Sequence, residues 1–174
     1  MGNCCHKSDQ ENHPDVHPDV HREDLFHEEE LRKSNFEYLK KFTFDGLTTR
    51  ARVVDVYDGD TITIVFFNNG QPIKHPLRLY GFDSPEIKPL KTIMNRELHV
   101  EAGLFVKNYV QRALLDKIVW VKFCKEEKYG RLMGYVYTQE TITDDAESFN
   151  KHMIVRGYGK PYDGGKKEEF SVND

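Results

Sequence analysis

The chain has 174 residues, with 25 Lys and Arg against 29 Asp and Glu and a formal net charge of −4. That length suits one domain and excludes a multi-domain machine, and no apolar run approaches the roughly 20 residues a membrane helix needs. Three cysteines, at 4, 5 and 124, cannot build a disulfide framework, so a reducing compartment is expected. No apolar stretch of a secretory signal is visible at the N-terminus, which points to an intracellular location. Taken alone, the negative balance argues against a nucleic-acid partner.

Residues 1–45 hold 6 basic and 11 acidic residues and five of the eight histidines, and the remainder is near +1. The tandem His-Pro-Asp-Val repeat at 13–20 and the scarcity of apolar side chains predict disorder over about 1–22. A histidine-rich tract can bind metal, but this one has no regular ligand spacing on a folded element. Residues 23–42 read as weakly helical, with Ser34-x-x-Glu37 as a capping box for a short helix holding Tyr38, Leu39 and Phe42. The division is therefore an acidic tail over 1–44 and a folded domain over 45–170.

Asp45-Gly46 turns the chain into β structure. Val54 and Val56 alternate with polar neighbours, and Ile62, Ile64 and Phe66 continue at period two beyond Asp58-Gly59-Asp60. Asn68-Asn69-Gly70 predicts a hairpin turn, and a further strand runs from about Ile73 to Tyr80. Residues 96–115 change to helical spacing through Leu98, Ala102, Phe105, Val106, Tyr109, Val110, Ala113 and Leu114. Strands are expected over Ile118–Cys124 and Leu132–Thr138. A second helix is expected over about Ala146–Arg156, with Asp144 or Asp145 at its N-cap and Gly157 past its end. The order implies an α+β, mainly β fold: a small curled sheet or barrel flanked by helices.

Three polar clusters end apolar strands. Asp58-Gly59-Asp60-Thr61 reads as a type I′ or similar turn unless it carries chemistry. Arg78 lies in an apolar strand that leads to Asp83-Ser84-Pro85-Glu86, where Ser84 must be extended before proline. Lys128-Tyr129-Gly130-Arg131 precedes the strand at Leu132. Each alone is weak; together they form a kit. Asp60 and Asp83 are hard oxygen ligands suited to calcium or magnesium. Glu86 is a third carboxylate placed to act as a base. Arg78 and Arg131 are planar donors that match phosphate oxygens two at a time. Such a set describes metal-assisted attack of water on a phosphodiester. No Cys/His constellation in the folded part suits zinc.

From about Leu47 to Lys160 the chain resembles the staphylococcal (thermonuclease-type) nuclease family. The resemblance rests on V-V-D-V-Y-D-G-D-T-I, L-R-L-Y-G-F-D-S-P-E, E-A-G-L-F-V-K, K-Y-G-R-L-M-G-Y-V-Y and F-N-K-H-M-I-V-R-G, in order and at compatible spacing. It implies a five-stranded OB-fold barrel flanked by two or three helices. It also implies a calcium-dependent endonuclease acting on DNA and RNA, favouring single-stranded or frayed regions, cleaving the 5′ P–O bond and leaving 3′-phosphates. Such an enzyme is expected to be a monomer.

By the same resemblance, Asp60, Asp83 and the Ser84 carbonyl hold Ca²⁺. Glu86 is the general base, and Arg78 and Arg131 bind the phosphate. Lys128 and Tyr129 contact the nucleotide, and Tyr162 is the nearest match to a tyrosine that stacks on it. The alternative is a non-catalytic module of this fold that binds nucleic acid or protein, although such modules usually lack several of these groups. The family's C-terminal helix is largely missing, so the N-terminal segment or a docked Phe170 is expected to cover the apolar surface it would hide.

Met1-Gly2-Asn3-Cys4-Cys5 resembles dually acylated proteins, including plant membrane-held calcium-dependent nucleases. Gly2 is a candidate for myristate and Cys4 or Cys5 for palmitate; two chains would anchor stably where one would not. His6 stands where Ser or Thr is usual. Cys124 is expected as a buried small hydrophobe, Trp120 as core or barrel surface, and His75, His99 and His152 as structural. Lys166 and Lys167 read as a solvated tail.

Overall fold

A computed structural model of the chain describes residues 27–124, 131–139, 147–165 and 170. The chain divides into two units, Met1–Phe42 and Thr43–Asp174.

In the first unit, residues 27–33 form helix α1. Glu28–Arg32 and Glu29–Lys33 pair along it with the acid one turn before the base, the favourable order on a helix surface. The capping-box expectation is corrected here. Ser34 ends this helix rather than starting another: its N–H and hydroxyl both donate to the Glu30 carbonyl, at 2.9 and 2.6 Å. The next element is a single 3₁₀ turn, Phe36–Tyr38, whose cap is Asn35, accepting from the Glu37 N–H at 3.0 Å. Asn35 wins because its short amide reaches the N–H two residues on.

The second unit is a closed five-stranded barrel in the order β1-β2-β3-β6-β5. Its strands are β1 (Thr48–Val56), β2 (Thr61–Asn68), β3 (Gln71–Leu79), β5 (Ile118–Phe123) and β6 (Leu132–Tyr137). A two-residue strand β4 (Phe82–Asp83) pairs with β7 (Lys160–Pro161) outside the barrel. Helices α2 (Arg96–Leu114) and α3 (Phe149–Val155) complete it. Neighbouring barrel strands are antiparallel except β3 and β6, which run parallel over Leu77–Leu79 and Leu132–Gly134. This is the expected α+β, mainly β, OB-type barrel.

Local chemistry explains the joins. Asn69 and Gly70, both at positive φ, close β2 onto β3 in two residues, the conformation a type I′ turn demands. Pro72 and Pro76 sit in the part of β3 that β6 does not pair, where a missing N–H costs no ladder bond on that side. In β1 the inward residues are Ala51, Val53 and Val56, and Val54 is only half-buried. A register shift between Val53 and Asp55 breaks the simple alternation, as a bulge does.

Ile62, Ile64, Leu77, Leu79, Val121 and Val136 fill the barrel. Phe44, Phe66 and Phe123 cluster at one place in it in edge-on and tilted contacts, with ring centroids 5.0–5.6 Å apart. From α2 the buried face is His99, Gly103, Val106, Val110 and Leu114. Phe105, expected inside, is 53% exposed, so the true face lies partly round from the expected one. His99 is buried.

The α3 cap is Ser148, whose hydroxyl accepts from the Lys151 N–H, and not Asp144 or Asp145, which lie outside the described residues. Trp120 is half-buried on the barrel surface under the Arg50 guanidinium. Cys124 is half-buried rather than in the core. Phe170 is partly buried, with the Lys160 ammonium 5.2 Å from its ring centroid. Among the described residues no helix is long and apolar enough to cross a membrane.

Candidate nuclease site

The Asp58–Thr61 segment is not a type I′ turn, because Gly59 is not at positive φ. It is instead a tight loop held by its own polar groups. The Tyr57 and Asp58 N–H groups both donate to the Thr61 carbonyl, and the Asp58 carboxylate accepts from the Asp60 N–H at 3.1 Å, an Asx-type turn. The loop delivers Asp60 to the first position before β2, where its carbonyl accepts from the Leu79 N–H at 2.8 Å. Thr61 pairs with Arg78 across the β2–β3 ladder, so Asp60 and Arg78 are brought together by strand register.

Arg78 is the centre of the site. It is 5% exposed and donates through one terminal nitrogen to Asp60 Oδ1 at 2.9 Å and through the other to Asp83 Oδ1 at 2.7 Å. Asp60 and Asp83 are themselves 3% and 4% exposed. The Thr61 hydroxyl donates to Asp60 Oδ1 at 2.8 Å, and the Ser84 N–H reaches Asp60 Oδ2 at 3.3 Å. A guanidinium between two carboxylates satisfies both by charge-assisted bonds. Burial, with the nearby Asp58 adding repulsion, pushes the Asp60 carboxyl up from 3.8 to about 7, against the opposing pull of Arg78 and the Thr61 hydroxyl.

Asp83 lies on β4, and the β4–β7 pairing positions a further residue. Just past β7, the Tyr162 N–H donates to the Gly81 carbonyl at 3.1 Å, which sets its ring 5.4 Å from the Arg78 guanidinium carbon. The Tyr162 hydroxyl donates to the Gly165 carbonyl at 3.0 Å. Such a ring caps a cation by its face. Glu86 follows the Ser84-Pro85 bend and is exposed to solvent. Arg131 is half-buried and immediately precedes β6, where Met133 is the parallel partner of Arg78. Lys128, Tyr129, Gly2, Cys4, Cys5 and the histidine tract lie outside the described residues.

Two residues carry roles that the sequence does not announce. Thr61 stands in a recognisable motif, but its hydroxyl has no evident task until the fold sets it on Asp60. Asn150 is 1% exposed and pins the β3–β6 junction: its amide nitrogen donates to the Tyr80 and Gly134 carbonyls at 2.9 and 3.0 Å, and its oxygen accepts from the Val136 N–H at 3.0 Å. A buried amide must be satisfied fully, and here it ties together the strand of Arg78 and the strand that follows Arg131. Its one signal is a polar residue between the apolar positions of a short helix, which sequence alone does not distinguish from a solvent-facing one.

Among the described residues no three His, Cys, Asp or Glu side chains are grouped to hold a metal. The chemistry available is narrower: two buried carboxylates, Asp60 and Asp83. Hard oxygens of this kind fit a hard divalent cation that keeps several of its waters.

The family model described as staphylococcal nuclease homologue matches residues 76–172, which covers Arg78 through Tyr162 and leaves Asp60 before it. An uncharacterized protein of Bacillus anthracis is 30% identical over 112 residues, 64% of this chain and 47% of its own length. An uncharacterized lipoprotein of Mycoplasma genitalium is 26% identical over 66% of this chain and 46% of its own. An uncharacterized endonuclease of Escherichia coli O157:H7 is 27% identical over 64% of this chain and 60% of its own. The chain thus spans about half to three-fifths of the length of these relatives. The family model covers more than half of the chain, and the chain belongs to the staphylococcal nuclease homologue family.

Proposed function

We propose that the protein is a calcium-dependent endonuclease that hydrolyses phosphodiester bonds of DNA and RNA, cleaving the 5′ P–O bond and leaving 3′-phosphate ends. One observation carries the reading: a buried arginine bracketed by two buried carboxylates, Asp60 and Asp83, at the edge of an OB-type barrel. Burying three charges is expensive, and a fold that needed only stability would do as well with apolar side chains there.

In this reading Asp60, Asp83 and the Ser84 carbonyl are the residues that hold Ca²⁺. When bound, the ion supplies positive charge against the phosphate and Lewis acidity at its oxygen. Glu86, exposed three residues beyond Asp83, orients the attacking water and takes its proton. Arg78 donates to a phosphate oxygen, and Tyr162 on its face limits where the guanidinium can swing. Arg131 donates to the charge that builds on phosphorus-bound oxygen in the transition state. Lys128 and Tyr129 contact the nucleotide. As in the family it resembles, single-stranded or frayed regions are the favoured substrate.

The rival reading, a non-catalytic binding module, keeps the same surface and drops the chemistry. Nicking of supercoiled plasmid with calcium, and its loss with chelator, separates the two; binding without calcium-dependent nicking overturns the enzyme. The Met1-Gly2-Asn3-Cys4-Cys5 pattern adds a membrane-tethered form to the proposal. Intact mass of the native protein checks it, and the absence of acyl additions removes it.

A further inference from the structure

The segment from Phe82 to Glu86 carries Asp83, the Ser84 carbonyl and Glu86, and three glycines from three different elements press on it. In the β1–β2 loop, a Cβ at Gly59 would lie 2.6 Å from Ser84 Cβ and 2.7 Å from Ser84 Oγ. Inside α2, a Cβ at Gly103 would lie 2.9 Å from the Glu86 carbonyl carbon and oxygen and from the Pro85 oxygen. Between α3 and β7, a Cβ at Gly159 would overlap the Phe82 ring and the Asp83 carbonyl oxygen.

None of the three is at positive φ, unlike Gly46, Gly70, Gly81, Gly157 and Gly164. Their φ values do not call for glycine, so what each position demands is space. Gly103 makes the point sharply. It is buried within a nineteen-residue helix, where glycine is among the poorest formers and alanine the best.

We propose that Gly59, Gly103 and Gly159 are positioning residues that clamp the Phe82–Glu86 segment from three sides. Each acts on a different group. Gly59 sets Ser84, Gly159 sets Asp83, and Gly103 sets the backbone that carries Glu86. A metal-and-base constellation needs its groups held within about half an ångström, and a Cβ at any of the three sites displaces one group by at least a few tenths. The consequence for catalysis rests on the nuclease reading; the clamp itself does not.

The test uses the full chain and compares Gly103→Ala and Gly159→Ala with Leu104→Ala, a change on the exposed side of the same helix turn. Amide exchange over residues 82–86 reads the clamp without any activity. It is expected to quicken at least tenfold in Gly103→Ala and to stay unchanged in Leu104→Ala; unchanged exchange in Gly103→Ala overturns the proposal. Calcium titration and plasmid cleavage read the division of labour. Gly103→Ala should lower kcat tenfold or more with calcium affinity within twofold, and Gly159→Ala should lower calcium affinity tenfold or more.

Equal losses of both in step with a falling Tm would mean general loosening and would also overturn it. Should Gly159→Ala fail to fold, Gly103→Ala decides, since alanine favours its helix. Wild-type protein that does not cleave with calcium sinks the nuclease reading and leaves the exchange result to judge the clamp.

Discussion

The barrel interior and the charged cluster at its edge are buried to nearly the same degree and held by opposite physics. Val53, Ile62, Leu77 and Val121 are 0% exposed, and Asp60, Arg78 and Asp83 lie between 3% and 5%. Inside the barrel, stabilisation comes from area removed from water, about 1.5–3 kcal/mol for each fully buried aliphatic side chain. Those contacts have little direction, and many apolar residues of the right volume serve. In the cluster, each charge costs desolvation that only particular partners in particular geometry offset. The lesson is that equal burial conceals unequal tolerance: the interior specifies volume, the cluster specifies identity.

The largest expected effect breaks stability and activity apart. Glu86→Gln removes an exposed group, so Tm should stay within a degree or two while calcium-dependent plasmid cleavage falls by roughly 10²–10⁴. A Glu86→Gln variant of near wild-type rate would remove Glu86 from the chemistry. Arg131→Lys comes next. A point charge cannot replace a two-pronged donor, and loss of one charge-assisted bond, about 1.5–3 kcal/mol, lowers kcat roughly ten- to a hundredfold at saturating calcium.

Ile64→Ala tests the other side of the contrast. It should cost about 2–5 kcal/mol in denaturant unfolding with calcium affinity unchanged; a matching fall in affinity would show that interior and edge are not separable.

The pH dependence sharpens the comparison further. Asp60 has a folded value of about 7 against an ordinary 3.8. Below the ordinary value the carboxyl is protonated in both states and costs nothing. Between the two, the unfolded chain ionises and the folded one resists, so stability falls as pH rises, and the loss is complete above about 7. Metal-free protein should therefore lose Tm between pH 4 and 8, and Asp60→Asn should flatten that slope and be the more stable protein at pH 8. A slope that Asp60→Asn leaves intact would place its origin elsewhere. The smallest effect is at a helix end: Ser148→Ala, which removes the α3 cap, should cost about 1 kcal/mol.

The strands and the long helix are legible in the sequence because their periods are strong. Ile62, Ile64 and Phe66 announce a strand whatever surrounds them, and Asn69-Gly70 announces its turn. The site is legible in part, since Asp60, Arg78 and Asp83 stand in recognisable motifs, and strand register brings Asp60 to Arg78. Three kinds of information are hidden. The bulge at Val53–Asp55 is a property of pairing, not of one strand, so alternation alone sets Val54 inside. Ser34 and Glu37 match a capping pattern that a competing local bond, Ser34 to Glu30, has already used. Gly103 and Asn150 have meaning only through what packs on them from far along the chain.

The parallel junction between β3 and β6 has a consequence for how the molecule comes to exist. β1, β2 and β3 are neighbours in sequence and can pair through short loops, placing Asp60 beside Arg78 early. Leu77–Leu79 meets Leu132–Gly134 only after α2 and β5 have been threaded between them, and closing so long a loop is entropically slow. Asn150 can engage Tyr80 and Gly134 only once that closure has happened. The Asp60–Arg78 pair is thus expected to form before the part of the site that presents Arg131, and a chain caught partway would carry that pair without the second arginine.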